Sequence, residues 1–262
     1  MPEGPECHYA ACKLEKVLKG KHLTEFKILG GRYDRHGPFE GYTSLVSHIE
    51  SNSHTVRAVG CRGKLIIVFF ENDWCLLSTL GLKGSWTVRK SKHCDIALVA
   101  SENTKLWFKD QMHYGTLKYV ASEQAKKKLL SLGPDVTVKE PLFTKEYLIK
   151  ILSKHPKWDL AKLLMDQSKI SGIGNYLKAE ILYKARLAPM LLCEEVSAEG
   201  TERLYDAILD IPYKFFQKHL GLGSIFRHVY GRSKDRQGNV VKKCKTKDER
   251  TSHWVPELQT EK

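Results

Sequence analysis

The chain has 262 residues, with 43 lysines and arginines against 30 aspartates and glutamates, and a formal net charge of +13. A hydrophobic content of 42% and a charged content of 28% exclude a disordered chain and allow a sizeable core. The apolar run Leu65–Phe70 is too short to span a bilayer, and the first residues do not form a signal peptide. Seven cysteines without a CxxC pair indicate reduced thiols. We expect an intracellular protein that binds a polyanion, and nucleic acid above all.

The chain opens with the hexapeptide MPEGPE, and the spacing of apolar residues predicts an amphipathic helix over residues 5–20. A methionine that precedes proline is normally removed, so Pro2 would carry a free secondary amine. An α-amine titrates near pH ~8, which leaves a useful fraction neutral and nucleophilic at neutral pH. Glu3 and Glu6 lie beside it in the sequence as candidate proton-transfer groups.

The next hundred or so residues are a series of short apolar or alternating runs separated by turn signals. The predicted strands are residues 23–29, 56–59, 65–70, 75–80, 85–88, 96–99, 106–109 and 115–119. This spacing favours a β-sandwich over a βαβ unit. Lys64 follows the turn signal Arg62-Gly63 at the start of an apolar strand.

Residues 121–133 include three successive lysines and are interpreted as a linker between domains. The second half of the chain is predicted to be helical. Thr144 is the predicted cap of a helix that ends before Pro156, and a helix over residues 200–219 contains Pro212, which should kink or split it. The predicted domains are residues 1–131, 132–225 and 226–262.

Residues 159–183 predict two helices joined by the turn Ile170-Ser-Gly-Ile-Gly-Asn175. Gly172 and Gly174 allow positive φ and close backbone approach, and Asn175 is a suitable N-cap for the second helix. A helix N-terminus with free amides and no acid in its first turn can bind an anion. An ordinary helical hairpin with a glycine turn would have the same pattern.

The hexapeptide, this hairpin, Arg62-Gly-Lys64 and residues 226–254 resemble the Fpg/Nei family of DNA glycosylases, in particular its endonuclease VIII-like members. The resemblance implies an α+β fold. It would comprise a leading helix, an N-terminal β-sandwich, a helical domain with a helix-two-turn-helix, and a C-terminal β-hairpin finger.

The resemblance also implies a bifunctional DNA glycosylase and AP lyase. Pro2 would attack C1′ of the damaged nucleotide and form a Schiff base, Glu3 would act as the acid/base that opens the sugar, and Lys64 would point into the site. β,δ-Elimination would then cut the strand, with no cofactor.

For DNA contacts, the resemblance assigns the phosphates that flank the lesion to Gly174 and Asn175, and the phosphate of the flipped nucleotide to Arg250. Leu82 is the candidate for the wedge that fills the gap left by the flipped base, with a place in the core as the alternative. Gln167 is expected to have a structural role around the helix-two-turn-helix.

Residues 226–232 and 249–254 resemble two strands of the family's finger, which normally binds zinc through two CxxC pairs. Those pairs are absent here. A site made from Cys244, His228 and His253 would be short of a ligand and badly spaced, so we expect no metal.

A zincless finger is therefore the favoured interpretation of the C-terminal segment. We expect Val240, Val241, Trp254 and Val255 to pack together and residues 237–239 to form the turn. A disordered basic tail is the alternative for residues 242–247.

Family members that take 8-oxoguanine carry a long loop before the finger, whereas only residues 217–224 separate the last helix from Phe226 here. This favours oxidised pyrimidines and hydantoins, in duplex or single-stranded DNA, as substrates of a monomer with no membrane partner. The alternatives are a formamidopyrimidine or 8-oxoguanine preference, and a DNA-binding protein that lost the chemistry. The second is disfavoured by the joint presence of Pro2, Glu3, Lys64 and Arg250.

Overall fold

The computed structural model describes residues 1–51, 54–138 and 142–260. Its contacts divide the chain into two compact units. The first unit comprises residues 1–2 and 6–131, and the second comprises residues 3–5 and 132–262. Among the residues described, no helix is both long and apolar enough to cross a membrane.

The first unit contains a sandwich of two four-stranded antiparallel sheets. Its strands are β1 (Leu23–Ile28), β2 (Val56–Arg62), β3 (Leu65–Phe70), β4 (Trp74–Thr79), β5 (Ser85–Thr87), β6 (Cys94–Ala100), β7 (Thr104–Lys109) and β8 (Thr116–Ala121). The sheet orders are β2-β3-β4-β8 and β1-β6-β7-β5. All eight predicted strands are present, so the predicted β-sandwich is confirmed.

The core of this unit draws on both sheets and on the leading helix, α1 (Gly4–Leu18). Alternate residues of a strand point to the same face, and Ile66, Val68 and Phe70 of β3 are accordingly buried together. Leu14 and Leu18, one helical turn apart on α1, join the same cluster. The periodicity that predicted these elements therefore also predicted which of their faces are buried.

Three helices of the first unit were not predicted: α2 (Arg32–Arg35), α3 (Tyr42–Glu50) and α4 (Ser122–Leu130). The last occupies most of the predicted linker, residues 121–133, so this segment is a helix, and it ends just before the division between the two units at residues 131 and 132. Residues 122–130 are mostly strong helix formers, and Ala125 is buried while the lysines of the run face solvent. A charged helical face was thus mistaken for a solvated connection.

The second unit is mainly helical. Its helices are α5 (Lys145–Lys154), α6 (Leu160–Met165), α7 (Asn175–Ala185) and α8 (Ala198–His219), with a 3₁₀ turn at Cys193–Glu195. The Thr144 hydroxyl caps α5 as predicted and accepts a hydrogen bond from the Tyr147 amide at 3.1 Å. Pro212 lies inside α8 without splitting it. Helix α7 is the most enclosed of the four, because eight of its 11 residues are buried, against eight of 22 in α8.

The C-terminal hairpin consists of β9 (Lys242–Lys245) and β10 (Thr251–Trp254). The second predicted strand is confirmed, but the prediction of a strand at residues 226–232 was wrong. The buried Glu180 carboxylate accepts hydrogen bonds from three consecutive amides there, at 2.7, 3.1 and 2.9 Å, so those groups are not available for a strand ladder. The alternative of a disordered tail at residues 242–247 was also wrong, since β9 lies there.

The packing of the finger was predicted in part. Val241 and Val255 are buried in one cluster, whereas Val240 is 49% exposed. Residues 237–239 do turn the chain, because the Asp235 carboxylate accepts from the Gln237 and Asn239 amides at 2.9 Å each. That turn precedes the hairpin, however, and β9 and β10 are joined by residues 246–250.

Candidate functional site

Pro2 and Glu6 line a single cavity of the first unit, with a volume of about 370 Å³. One wall is α1, where Glu6, Tyr9 and Lys13 follow one another at helical spacing. The opposite wall includes Leu80 and Trp86, at the end of β4 and in β5. The fold thus places the candidate nucleophile and one candidate proton-transfer group in one concave, partly apolar space.

Glu3 belongs to the second unit, where its buried carboxylate caps the N-terminus of α7. Oε2 accepts from the Gly174 amide at 2.8 Å and from the Leu177 amide at 3.1 Å, and Oε1 accepts from the Tyr176 amide at 2.9 Å. The prediction that these amides are free was therefore wrong. An acid from the other end of the chain is the anion at this helix terminus.

This arrangement also corrects the predicted roles of Gly174 and Asn175 in the helix. Gly174, not Asn175, is the N-cap of α7, and Asn175 is its first residue. The Gly174 amide is directed at Glu3, so it is not available to a phosphate. A side chain on Gly174 would begin 2.3 Å from Glu3 Cδ, so this position has room only for glycine.

Gln167 holds the turn of the helix-two-turn-helix from inside, which confirms its predicted structural role. Its Nε2 donates to the carbonyls of Ile173 and Met165 at 2.8 and 3.0 Å, and its Oε1 accepts from the Gly172 amide at 3.1 Å. Gly172 adopts φ +100°, and its carbonyl accepts from the Gly4 amide at 2.8 Å. The turn is thus fixed on both sides.

Asn175 and Arg250 lie together in the second unit as candidate DNA contacts. Asn175 Nδ2 donates to the Thr251 carbonyl at 3.1 Å, next to Arg250 in the sequence. Arg250 is exposed, while its amide donates to Asp248 Oδ1 at 3.2 Å. Its backbone is therefore held while its guanidinium faces solvent.

Lys64 lies in the first unit, in the tight turn between β2 and β3. Arg62 pairs with Leu65 across the hairpin, which leaves Gly63 and Lys64 as the two turn residues. Gly63 adopts φ +58°, a conformation that glycine takes without strain. The half-buried lysine thus stands at the start of an apolar strand, where the sequence placed it.

Leu82 is half-buried in the turn after β4, and it lies beside a second turn that the sequence analysis missed. A side chain on Gly81 would begin 2.5 Å from the Tyr114 carbonyl carbon, so the two turns are in direct contact. Tyr114 is 59% exposed and Met112 is 42% exposed. Asp110 closes this second turn by accepting from the Gly115 amide at 2.6 Å. The available signal in the sequence was Tyr114 between Asp110 and Gly115, two residue types that favour turns, in a chain with a net charge of +13.

The loop before the hairpin is fixed to α7 by a second buried group. Tyr183 donates to Asp235 Oδ2 at 2.9 Å. Burial raises the pKa of the Tyr183 hydroxyl to about 12, and Asp235 adds to the rise. Burial alone would raise the pKa of Asp235, but hydrogen bonds from Asn239 and Tyr183 hold it below its usual value. Tyr183 therefore acts as a permanent donor at neutral pH.

Within the described ranges, no three His, Cys, Asp or Glu side chains are arranged so that they could hold a metal ion. The only cysteine of the finger, Cys244, is half-buried, and its pKa is raised by burial.

Two family models match the chain. The formamidopyrimidine-DNA glycosylase N-terminal domain covers residues 1–117, and the formamidopyrimidine-DNA glycosylase H2TH domain covers residues 132–218. The chain belongs to the Fpg/Nei family. Members of this family are DNA glycosylases and AP lyases of base excision repair, and the present Fpg/Nei chain is an enzyme of this class.

Individual Fpg/Nei relatives match over the full length. The chain is 29% identical over 280 residues to Endonuclease 8 of Pectobacterium atrosepticum, covering 99% of this chain and 100% of the relative. It is 28% identical over 285 residues to Endonuclease 8 of Escherichia coli, with the same coverage. A solved structure of Lactococcus lactis formamidopyrimidine-DNA glycosylase, non-covalently bound to DNA with an AP site, matches with a TM-score of 0.85 and 22% identity over 98% of this chain and 99% of that one.

Proposed function

We propose that this Fpg/Nei enzyme excises oxidised pyrimidines and hydantoins from DNA through a Schiff base on Pro2. The observation that carries the proposal is the position of Glu3. It follows Pro2 directly in the chain, is 1% exposed, and is held by three backbone amides of α7 and the turn before it. In a protein that only bound DNA, these amides would serve best as phosphate ligands. Their use to fix an acid beside the first residues favours chemistry over binding alone.

The proposed reaction begins at the Pro2 nitrogen. Its lone pair attacks C1′, the bond from C1′ to the base breaks, and the base leaves with a proton. The Glu3 carboxylate takes the proton of the amine and delivers it to the ring oxygen as the sugar opens, which gives an iminium ion, and the departing base takes its proton from water. The Lys64 ammonium supports the phosphate charge next to this centre.

Strand cleavage follows from the iminium. Loss of a C2′ proton expels the 3′ phosphate, and loss of a C4′ proton then expels the 5′ phosphate. Water hydrolyses the remaining imine and returns Pro2 to its starting state. Glu6 shares the cavity with Pro2 and is proposed as the group that accepts protons in these steps.

The proposed DNA contacts follow from exposure. The Arg250 guanidinium is free to form two hydrogen bonds with one phosphate, and Asn175 supports the same strand. Leu82 and Tyr114 stand on adjoining turns and are proposed to fill the gap left by the flipped base together. Phosphate contacts would give most of the affinity.

The proposed lesion preference rests on the short connection after α8. Only residues 220–224 lie between the end of this helix and buried Ile225, which leaves little chain to cover a purine. The same fold has been solved for Lactococcus lactis formamidopyrimidine-DNA glycosylase with DNA that contains an oxidised pyrimidine. A formamidopyrimidine preference is the alternative that the experiment must distinguish.

Borohydride trapping tests this proposal. The native protein and Pro2→Gly would be mixed with duplex and single-stranded oligonucleotides that carry an abasic site, an oxidised pyrimidine or a formamidopyrimidine. We expect a covalent adduct with the native protein, formed faster with the oxidised pyrimidine than with the formamidopyrimidine, and a much weaker one with Pro2→Gly. The mass of the adduct should correspond to one protein per oligonucleotide. If DNA is bound but no lesion gives an adduct, the chain is a DNA-binding protein without the chemistry.

A further inference from the structure

The turn that carries Arg250 is held together by one carboxylate. Asp248 Oδ1 accepts from the Thr246 hydroxyl at 2.6 Å and from the Arg250 amide at 3.2 Å. The Thr246 amide donates to the Arg250 carbonyl at 3.4 Å, and Glu249 between them adopts φ +60°. The direction in which Arg250 leaves the hairpin therefore depends on where Asp248 lies.

Asp248 is held in turn by a lysine that is completely buried. Lys178 Nζ lies 2.7 Å from Asp248 Oδ2, and the two side chains are 0% and 5% exposed. Burial lowers the pKa of Lys178, and the bond to Asp248 opposes this effect. Burial would raise the pKa of Asp248, but its bonds to Lys178 and Thr246 keep the pKa below the usual value. The contact is thus an ion pair inside the protein.

Two further contacts connect the same turn to the helical part of the second unit. The Lys247 amide donates to Asp159 Oδ2 at 2.7 Å, and Asp159 Oδ1 caps α6 through the Lys162 amide at 2.8 Å. Asn175 lies one helical turn before Lys178 on α7, and its side chain donates to the Thr251 carbonyl. The two proposed phosphate ligands, Asn175 and Arg250, are therefore connected through one face of α7.

We propose that Lys178 and Asp248 are a pair of positioning residues, which fix the turn of Arg250 relative to Asn175 so that both reach the DNA backbone as one rigid clamp. This inference rests on the proposed function, because it takes Arg250 to be a phosphate ligand. The pair does for the hairpin what a bound metal ion does for a finger: it fixes a short turn to a rigid base.

Stability alone is a poor reason for such a pair. Replacement of a buried ion pair by apolar side chains is often neutral or stabilising, because the two charges lose their hydration. Asp248 of the pair lies, however, only two residues before Arg250, the arginine of this turn, whose side chain is exposed. Geometric control of that group is a function that an apolar pair could not supply, since Asp248 also holds the Arg250 amide.

A double-mutant cycle in the full chain tests the proposal. The kcat and KM for excision of an oxidised pyrimidine would be measured for the native protein, Lys178→Met, Arg250→Ala and the combination. Each single change should raise KM by about tenfold, the value of one charge-assisted hydrogen bond. Arg250→Ala should add less than about twofold in the Lys178→Met background, because its guanidinium is already misplaced. Lys184→Met, an exposed lysine of the same helix, is the matched control and should leave KM unchanged.

Lys178→Met leaves a buried aspartate unpaired, so a second variant guards against simple unfolding. The combination Lys178→Met with Asp248→Leu removes both charges and should fold as stably as the native chain. It should still show the raised KM and the insensitivity to Arg250→Ala. If Arg250→Ala raises KM by the same factor in Lys178→Met, or in Lys178→Met with Asp248→Leu, as it does in the native protein, the pair does not position Arg250 and the inference is wrong. If the native protein neither excises nor traps any lesion, the proposed function fails instead.

Discussion

One carboxylate, Glu3, decides how the N-terminus of α7 is used. A helix terminus attracts an anion, and the resemblance to the family assigned a DNA phosphate to this one. The structure places Glu3 there instead, at 2.8 to 3.1 Å from three amides. We therefore propose that the phosphate ligands are side chains that remain accessible, above all Arg250.

The exposed Tyr114 ring gives a prediction at the same scale. Tyr114→Ala should reduce excision from duplex DNA by about tenfold or more, because stacking of one base on an aromatic ring contributes roughly 1–3 kcal/mol. Trapping at an abasic site in a single strand should change little, since no stack has to be held open there. Single-turnover rates on the two substrates measure the difference. An equal loss on both would show that the ring does not act as a wedge.

His253 predicts how stability depends on pH. It is 9% exposed and packs against Tyr230, and burial followed by Lys243 and Lys178 lowers its pKa from 6.5. The unfolded chain therefore binds the proton more readily than the native protein. Above the pKa of the unfolded chain, this difference does not change the free energy of unfolding. The free energy of unfolding falls as the pH drops below 6.5 towards the pKa of the folded protein.

His253→Leu should remove this part of the pH dependence. Urea unfolding of both proteins at several pH values between about 7.5 and 5.5 should show the native protein losing up to ~1.4 kcal/mol per pH unit more than the variant. Contributions that do not involve residue 253 cancel in the difference between the two proteins. Parallel curves would mean that His253 is not the responsible group.

At the scale of elements, α7 is the helix on which the second unit is assembled. It accepts Glu3 at its N-terminus, holds the loop at residues 228–230 through Glu180, and pairs with the hairpin turn through Lys178. The hydrophobic periodicity identified this helix without difficulty. It could not show that the polar residues of α7 would be buried, because their partners lie dozens of residues away.

The close approach of Glu3 to Gly174 gives the prediction at this scale. Gly174→Ala would place a methyl group 2.3 Å from Glu3 Cδ, so the carboxylate must move. We expect a loss of roughly 2 kcal/mol in the free energy of unfolding, from the weakened cap and the steric strain, together with loss of excision. The control is Gly223→Ala, where the nearest atom, Gln217 Cβ, is 4.0 Å away. An unchanged excision rate in Gly174→Ala would contradict the role given to Glu3.

The net charge of the whole molecule, +13, should make its affinity for DNA depend strongly on the salt concentration. Each phosphate neutralised by a lysine or arginine releases bound counterions, so the logarithm of the affinity falls linearly with the logarithm of the salt concentration. The slope of this dependence therefore gives the number of phosphate contacts.

Arg250→Ala should reduce the steepness of this salt dependence by about 0.9, the value for one phosphate contact on duplex DNA. Arg250→Lys should keep the slope and bind less tightly, since an ammonium group cannot form the bidentate contact. Fluorescence anisotropy with a lesion-bearing duplex over a range of salt measures both. A slope that stays native in Arg250→Ala would remove Arg250 from the set of phosphate ligands.

The sequence by itself determined the elements whose signals are local. Strand alternation, helical spacing and the Thr144 cap depend on neighbouring residues, and all of them are found in the structure. The tertiary structure alone decided what depends on long-range partners. Glu3 fills the anion site of α7, Glu180 prevents a strand at residues 226–232, and Lys178 holds Asp248. In each case a buried charge satisfies groups that are distant in the chain, and no periodicity within one segment carries that information.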